Sequence, residues 1–502
     1  MSLKPIDLPP GVVRGGTPAM TKGRWFDTSG VRWYGKVMQP IGGWETLSSG
    51  AVASPARRVM PWRDNAGTAR MAIACDAKVY LFEGGALTSI EPGDYVGVVT
   101  GTSGGGYGDG PYSDGTYGTP RAAGPIIQPR PYAWSLDSWG EQLLVVGSSD
   151  GRLLKWDPAT PATPLAAIAG APTGNQAMVV TPERHVLLAG AGGLPRRLAW
   201  CSREDYTDWD YASTTNTAGY RDIDTGGLLQ SIHRVRDGHI LFSDDELWLV
   251  RYVGQPYIYG ITGPHAEGVQ PIAPGAVVSF SGRAVWMGQE GFWTYDGGSC
   301  LPLPCDVADY VFSRINRDVA GNRVCGSRNA IFPEIWWDYP SGTSSENDSY
   351  VIWNYAENWW AIGSRTRTAA SDGSGFNKPI AVGADGYVYR HEVGWLASNA
   401  TRVGTIYAES GPVTAEGGAR TFDVLQGQLD SGGVYNALKL KAYTRLTRDG
   451  SETTKGPYTP RPDGWIDMRF GGRDVRLRFE SAQDVDWSVG PILLDTSPAG
   501  ER

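Results

Sequence analysis

Six segments of the chain share one order of hydrophobic and polar positions. Each begins with an apolar run, continues through a short polar turn rich in Asp, Asn or Gly, and ends in a second run that carries aromatic side chains. The segments are 72–82, 145–156, 241–250, 285–295, 350–360 and 381–390. Because Asp and Gly tolerate the backbone conformations of tight turns, this order predicts a β-hairpin in each segment.

The hairpins recur at irregular spacings, most of them about 40 to 95 residues. Such recurrence is typical of the paired strands in successive four-stranded blades of a β-propeller that carries insertions. A series of β-sandwich domains also contains hairpins, but sandwiches rarely repeat the same order of apolar run, turn and aromatic run. The pattern therefore predicts an all-β protein with a β-propeller of about six blades, give or take one, over residues 51–395.

The two ends of the chain differ from the repeated segments. Residues 1–50 are expected to form an N-terminal arm, in which a strand such as 31–34 could close the propeller ring. Residues 396–502 alternate cleanly, for example in 438–442 and 475–480, so each strand has one apolar and one polar face. This alternation predicts an additional C-terminal β-domain, with a final closing blade as the alternative.

A tract of Gly, Tyr, Asp and Pro at 101–124 interrupts the first part of the propeller. A segment of this composition buries no core, so we expect a projecting loop. Its tyrosines recur every five residues, at Tyr107, Tyr112 and Tyr117, and Arg121 follows them. These four residues are the candidate contacts of the loop with a partner or with a channel. The alternative is an insertion that stacks on its own blade.

One stretch favours a helix rather than a strand. In 305–316, Val307, Val311 and Ile315 follow helical spacing after Asp306, which is a suitable N-cap residue. We expect a short helix that packs against the blades.

Composition agrees with a β protein and excludes several other classes. The chain has 502 residues with 68 Gly, 34 Pro and 20 Trp, which excludes a helix-rich protein. With 41% hydrophobic and 20% charged residues it is neither disordered nor a coiled coil, and no run of about 18 apolar residues would span a membrane. The first ten residues lack the apolar core of a signal peptide, so we expect a protein made and kept in a cytoplasm.

Residues that often carry chemistry form no recognisable motif. The five Cys are scattered, and Cys300 and Cys305 lack a second pair or a nearby His, so we expect free thiols and no metal. His233 and His239 flank Arg234, and at this spacing on a β segment we expect turn residues. The glycine-rich stretches lack the endings that hold nucleotides, so no cofactor is expected.

Carboxylates and tryptophans leave a carbohydrate-related alternative open. A glycosidase needs two carboxylates across a cleft, although acids in a chain with 53 of them are more simply solvated turn residues. The candidate carboxylates are Asp205, Asp208, Glu334, Asp338 and Glu357. Paired tryptophans at 336–337 and 359–360 could stack on sugar rings, although large flat side chains more often fill the gap between blades.

Several stretches resemble a family of bacteriophage tail structural proteins. The opening, from 8–17 through Trp25 and 31–34 to 40–44, is similar to the start of these proteins. Further similar stretches are 200–205 with Trp209, 216–219, 301–312, 336–339, 346–360, 472–480 and 486–487. The similarity covers most of the chain, and its motifs are architectural and name no catalytic residue.

The resemblance implies a tail tubular or nozzle protein of a short-tailed phage, which is a non-enzymatic component of the virion. Such proteins form rings, typically hexamers, that dock on a portal-adaptor or other tail proteins and pass genomic DNA without reading its sequence. The net charge of −8 fits this expectation, because an acidic channel repels a phosphate backbone. The alternative is a carbohydrate-binding or glycosidase-like propeller that acts on host surface glycans.

Overall fold

The computed structural model describes residues 3–6, 8–16, 18–98, 102–105, 121–125, 131–414, 421–447 and 450–498. Seven antiparallel sheets of four strands each follow one another in these residues. The first strand of each sheet contacts the first strand of the next, and that of the seventh contacts that of the first, so the sheets close a ring. The protein is a seven-bladed β-propeller, which confirms the predicted fold class.

The first four blades are formed by consecutive stretches of chain, with the strands ordered from the centre of the ring outward. Blade 1 contains Ala56–Arg63, Ala69–Cys75, Val79–Glu83 and Ala86–Ser89. Blade 2 contains Trp134–Trp139, Gln142–Gly147, Leu154–Trp156 and Ala166–Ala167. Blade 3 contains Ala177–Val180, Val186–Ala189, Arg197–Trp200 and Gly219–Asp222, and blade 4 contains Ser231–Val235, Gly238–Phe242, Glu246–Gly254 and Ile258–Glu267.

Blades 5 and 6 follow the same plan, whereas blade 7 takes its outermost strand from the N-terminal region. Blade 5 contains Val277–Phe280, Arg283–Met287, Phe292–Tyr295 and Cys300–Leu303. Blade 6 contains Cys325–Arg328, Glu334–Tyr339, Ser349–Asn354 and Trp359–Ser364. Blade 7 contains Arg367–Ser371, Ile380–Gly383, Val388–His391 and Trp44–Thr46.

Trp44–Thr46 closes the ring by pairing with Val388–His391, with Glu45 opposite Arg390. A strand from residues 1–50 therefore closes the ring, but it is Trp44–Thr46 and not Val31–Tyr34, the example that the sequence suggested. Val31–Tyr34 instead pairs with Val37–Pro40 in a separate sheet. Closure by the later strand gives the last blade a hydrogen-bonded outer strand and joins residues far apart in sequence.

Five of the six predicted hairpins are the second and third strands of blades 1, 2, 4, 5 and 7, and the sixth, 350–360, is the third and fourth strands of blade 6. The seventh blade is blade 3, which the sequence pattern does not reveal. Its second and third strands are joined by a longer turn over 190–196, in which Gly190, Gly192 and Gly193 adopt φ of 70°, 71° and 71°. This turn is longer and, apart from Arg196, contains no polar side chain, so it does not repeat the short polar turn of the other six.

The two faces of the propeller carry different connections. The strands alternate in direction, so the turns between first and second strands lie on one face, which we call the lower face. The turns between second and third strands and the connections between blades lie on the opposite, upper face. The strand pair Thr102–Gly105 and Arg121–Pro125 belongs to the connection between blades 1 and 2.

A two-sheet β-sandwich built from both ends of the chain packs against the propeller. One sheet contains Leu3–Ile6, Val31–Tyr34, Val37–Pro40, Phe422–Gly433, Trp465–Ile466, Phe470–Gly472 and Trp487–Pro498. The other contains Trp25–Ser29, Tyr407–Ser410, Val413–Thr414, Leu438–Arg445, Thr453–Tyr458 and Asp474–Ser481. The C-terminal region is therefore not a closing blade.

Buried and exposed side chains alternate along the sandwich strands, as the sequence predicts. In Asp474–Ser481 the side chains of Val475, Leu477 and Phe479 are buried, and in the paired strand Leu440 lies opposite Phe479. These residues belong to one buried cluster that continues into blades 5 and 6 through Phe292 and Trp337 among others. The sandwich and this side of the ring thus share a hydrophobic core, whose burial is the main driving force for their association.

The chain forms two short α-helices between blades 5 and 6, α1 (Ala308–Arg314) and α2 (Arg317–Arg323). The predicted helix is thus present as α1, and Val307, Val311 and Ile315 are buried as expected. The expected cap is wrong, because Val307 rather than Asp306 occupies the N-cap position of α1. Single 3₁₀ turns occur at Pro18–Thr21, Ala191–Gly193, Pro274–Ala276 and Tyr435–Ala437. Among the described residues no helix has the length and apolarity that crossing a membrane requires.

Arg32 joins the sandwich to two blades through buried charges. Its guanidinium forms an ion pair of 2.8 Å with Glu334 of blade 6 and one of 2.5 Å with Glu392, directly after the third strand of blade 7. The side chains of Arg32, Glu334 and Glu392 are 1%, 1% and 8% exposed. Although burial opposes it, the charge of Arg32 holds the pKa of Glu392 below its usual value.

We expect Arg32→Met to lower the free energy of unfolding by about 3 to 5 kcal/mol, because it leaves two buried carboxylates without their cation. Urea or thermal unfolding of the full chain measures this change. Arg197→Met is the matched control, since Arg197 pairs with Asp222 at 23% and 58% exposure, where about 0 to 1 kcal/mol is expected. Equal effects of the two substitutions would contradict the importance of the Arg32 ion pairs.

Candidate functional site

The first strands of all seven blades enclose a central cavity of about 380 Å³. Because each blade contributes its innermost strand, residues from distant parts of the chain meet here. Three arginines line this central cavity, namely Arg58 of blade 1, Arg234 of blade 4 and Arg328 of blade 6. The volume lies within the range of pockets that hold small molecules, about 300 to 1,000 Å³.

None of these three guanidinium groups has a hydrogen-bond or ion-pair partner among the residues that the structure describes. The arginine that precedes Arg58 in the sequence, by contrast, is fully paired. Arg57 forms ion pairs of 2.7 Å with Asp76 and 2.7 Å with Glu346. Burial lowers the pKa of Arg58, but an arginine remains charged at neutral pH.

Two carboxylates also line the central cavity, and both are held by the chain around them. Asp137 accepts hydrogen bonds of 2.8 Å from the backbone N–H of Ser138 and 2.8 Å from that of Val180. Asp372 accepts hydrogen bonds of 3.1 Å and 2.9 Å from the backbone N–H and the hydroxyl of Ser374. Burial raises the pKa of Asp137, and the charges of Arg234 and Arg58 oppose this rise.

Ser231 and His233 add uncharged polar atoms to the same cavity. Ser231 is only 4% exposed, and its hydroxyl has no hydrogen-bond partner in the described part of the protein. The Nε2 atom of His233 is also buried and has no hydrogen-bond partner among the described residues. Burial lowers the pKa of His233 to about 3, and the charge of Arg58 acts in the same direction, so the imidazole is neutral at pH 7.

The upper end of the central cavity is crossed by the residues that precede blade 2. Tyr132 donates its backbone N–H to Asn322 of α2 at 3.0 Å, and Arg323 donates to the Tyr132 hydroxyl at 3.0 Å. The side-chain amide of Gln176, just before blade 3, donates to the carbonyl of Pro131 at 3.1 Å. Since α2 lies across the ring from blade 2, these contacts bridge the upper mouth.

The lower end of the central cavity leads to a second cavity of about 670 Å³. This lower cavity is lined by turns of blades 3, 4 and 5, and it shares Arg234 and Ser279 with the central cavity. The side chain of Arg234 is exposed. Access from solvent to the central cavity is therefore from the lower face, past Arg234.

Most of the residues that the sequence analysis predicts to contact a partner lie outside the described residues. Tyr107, Tyr112 and Tyr117 lie outside the described residues. Arg121 begins the strand Arg121–Pro125, where it lies opposite Gly105. Their role in partner binding stays a prediction.

The candidate carboxylates do not come together in one cleft. Asp338 is held by Arg365 at 2.6 Å, as Glu334 is held by Arg32. Glu357 accepts a hydrogen bond of 3.0 Å from the backbone N–H of Gly35. Asp205 and Asp208 cap local turns before the outer strand of blade 3, at Thr207 and Asn216.

The paired tryptophans pack in the interior of the protein. Trp336, Trp337, Trp359 and Trp360 are between 0% and 4% exposed. The Trp337 ring lies 6.2 Å from the Trp360 ring, and Phe292 of blade 5 lies 4.7 Å from Trp360. These side chains fill the space between blades and offer no surface for stacking a sugar.

The cysteines behave as the sequence indicates. All five are free thiols, and Cys300 and Cys305 pack in different hydrophobic clusters. Across the described ranges, no group of three or more His, Cys, Asp or Glu is arranged to hold a metal ion.

The sequence analysis singled out two histidines of blade 4, one of which lines the central cavity, but assigned both of them to a turn. His233 and His239 lie on the first two strands of blade 4, so the expectation of turn residues is wrong; the turn is formed by Arg236 and Asp237. Arg58 and Arg328 were not singled out. The available signal for Arg58 was its position on the strand that precedes a repeated hairpin, because that strand lines the axis of the ring. Arg328 lacked this signal, since two strands separate it from the hairpin 350–360 of blade 6.

No known protein family matches the chain, and no curated protein matches it in sequence. Among solved structures it is similar to the β-propeller domain of Cps50 (Swd1) from Myceliophteria thermophila, at 9% identity and a TM-score of 0.38 over 70% of this chain and 99% of that one. It is also similar to YCF48 from Cyanidioschyzon merolae, at 9% identity and a TM-score of 0.36 over 70% and 99%. An exo-β-1,3-galactanase from Phanerochaete chrysosporium is 10% identical, with a TM-score of 0.29 over 91% and 100%. Similarity at this level carries no functional argument.

We expect acid to destabilise the protein through its buried histidines. Burial lowers the pKa of His233 to about 3 and those of His185 and His239 to about 4, against about 6.5 in the unfolded chain. Between these values the unfolded state binds protons that the folded state does not, so the free energy of unfolding falls as pH falls, by up to about 1.4 kcal/mol per pH unit for each histidine.

The measurement compares the free energy of unfolding at pH 7 and pH 5. In His233→Gln the loss on acidification should be smaller by about 1 to 2 kcal/mol, whereas His265→Gln, at an exposed position, should leave it unchanged. An unchanged loss in His233→Gln would show that this imidazole is protonated in the folded state.

Proposed function

We propose that this protein is a non-catalytic structural subunit of the tail of a tailed bacteriophage, of the nozzle or tail tubular kind. It is made in the host cytoplasm and incorporated in the virion tail, without insertion in a membrane. Copies of the chain form a ring of about six subunits that docks on a portal-adaptor or other tail protein and passes genomic DNA. The support comes from the sequence resemblance and from the surface and charge features described below.

The observation that carries self-association is an exposed apolar hairpin tip on blade 4. The two outer strands of this blade, Glu246–Gly254 and Ile258–Glu267, are the longest pair in the described part of the propeller. Tyr252, Val253 and Tyr257 on this hairpin tip are 39%, 55% and 72% exposed. Clustered exposed aromatic and aliphatic side chains are typical of protein interfaces, and we propose that a second copy of this chain covers them.

The proposed DNA path is the lumen of the ring of copies and not the cavity of one propeller. The central cavity, about 380 Å³, is too small for a duplex whose major groove alone is about 12 Å wide, and Pro131 and Tyr132 cross its upper end. Six copies at −8 each carry about −48. This charge supports a lumen along which DNA slides without adhering.

The proposal of a non-catalytic role is supported by the structural roles of the candidate catalytic groups. Glu334 and Asp338 neutralise buried arginines, and the paired tryptophans are in the core. A carbohydrate-binding or glycosidase-like propeller remains the alternative. It would need a sugar surface elsewhere on the protein.

We expect the purified protein to assemble into rings. Light scattering should then give a mass several times the 54.1 kDa of one chain, and negative-stain images should show ring outlines. The double variant Val253→Ser/Tyr257→Ser should shift this population towards monomer, because it removes the apolar tip of the blade 4 hairpin.

Leu194→Ser is the matched control, since Leu194 is 46% exposed on a turn of the upper face. It should leave the rings intact. A wild-type protein that is monomeric at all concentrations, together with selective binding on a glycan array, would replace the proposal with the carbohydrate alternative. Rings that persist in the double variant would refute the hairpin tip as the interface.

A further inference from the structure

The three arginines of the central cavity form no ion pair or hydrogen bond within the described residues, although Arg58 and Arg234 interact electrostatically with Asp137 without contact. Other arginines in the interior of this protein have hydrogen-bond partners: Arg57 is paired with Asp76 and Glu346, and Arg365 with Asp338. Arg367 and Arg402 have no carboxylate partner but donate to His391 and to the carbonyl of Ile41. Arg58 and Arg328 are half-buried, whereas Arg234 is exposed. A half-buried cation without an ion pair is costly unless an anion offsets it. Arg58, Arg234 and Arg328 come from blades 1, 4 and 6, so only closure of the ring brings them to one cavity.

The local charge of the central cavity favours an anion. Three guanidinium groups face two carboxylates, and both carboxylates already accept hydrogen bonds from neighbouring backbone N–H groups. His233 is neutral at pH 7, so it neither adds to nor cancels this charge. The sum over these groups is one positive charge, in a cavity that opens to solvent past Arg234.

The uncharged donors of the central cavity indicate the shape of the anion. The hydroxyl of Ser231 and Nε2 of His233 are buried without partners and line the same space as the arginines. A carboxylate is planar and is satisfied by one arginine fork, whereas a tetrahedral oxyanion offers oxygens in several directions. Donors contributed by different blades around one space suit the tetrahedral geometry.

We propose that the central cavity is a binding site for a small oxyanion of the phosphate class, held by Arg58, Arg234 and Arg328 with Ser231 and His233 as additional hydrogen-bonding groups. The anion enters from the lower face past Arg234, since Pro131 and Tyr132 cross the upper end. The volume of about 380 Å³ leaves room for a phosphoryl group with a small organic substituent. The proposal does not rest on the proposed tail function, and the residues that hold the anion are not those proposed for ring assembly.

Isothermal titration calorimetry on the full chain tests the proposal, with inorganic phosphate and glucose 6-phosphate as probes and acetate as the planar comparison. Ionic strength is held constant, because screening weakens charge interactions. We expect saturable binding of at least one phosphate probe with a Kd below about 1 mM, and no saturable binding of acetate. Tighter binding of glucose 6-phosphate would identify a phosphorylated metabolite as the natural class of ligand, and tighter binding of phosphate would identify the free ion.

Substitutions separate this site from general attraction to a basic surface. Arg58→Gln, Arg234→Gln and Arg328→Gln should each weaken binding about tenfold or more, because each removes a charged hydrogen-bond donor. Arg184→Gln is the control, since Arg184 lies on a lower-face turn of blade 3, outside the central cavity, and pairs with Glu204. Arg234 is exposed, so its variant should fold normally, and an unchanged melting temperature checks this.

A crystal soaked in tungstate provides a second, structural measurement. Anomalous density among the three arginines would support the proposal. Three results would overturn it: no saturable binding of either phosphate probe, an equal loss of affinity in Arg184→Gln, or tungstate density only outside the central cavity.

Discussion

Ring closure by a strand from the other end of the chain is the constraint on which the rest of the structure depends. Trp44–Thr46 forms the outer strand of blade 7, 345 residues away in sequence from the strand with which it pairs, as the Glu45 and Arg390 contact shows. Residues before position 44 must therefore lie beside the last blade. The C-terminal region leaves from the same blade, so both ends of the chain are brought to one place, where they form the sandwich together.

Buried arginines stabilise the junctions that this topology creates. Arg32 on a sandwich strand reaches Glu334 in blade 6 and Glu392 after blade 7, and its guanidinium also lies 3.8 Å above the ring of Phe332. On the upper face, Arg57 of blade 1 contacts Glu346 of blade 6 across blade 7. Such pairs are expensive to desolvate, and their geometry is specific, so they favour one arrangement of blades over others of similar hydrophobic content.

The same ring geometry separates two kinds of surface with different chemistry. The first strand of every blade faces the axis, so polar and charged residues from different blades, among them Arg58, Arg234 and Arg328, meet in one cavity there. The outer strands of blade 4 extend away from the axis and expose aromatic side chains at their tip. The proposed assembly uses the outer surface and the proposed anion site uses the axis, so the two proposals depend on different residues.

The sequence alone determined the features that arise from neighbouring residues. Alternation in 475–480, the turn chemistry of six hairpins and the helical spacing of Val307, Val311 and Ile315 each reflect a local backbone preference, and the structure contains all of them. Tertiary structure decided what depends on distant pairing: which strand closes the ring, the presence of a seventh blade without the repeated polar turn, and the meeting of Arg58, Arg234 and Arg328. The physical reason is that hydrogen bonding across the ring and convergence at its axis are set by closure of the whole chain, on which local propensity has no bearing.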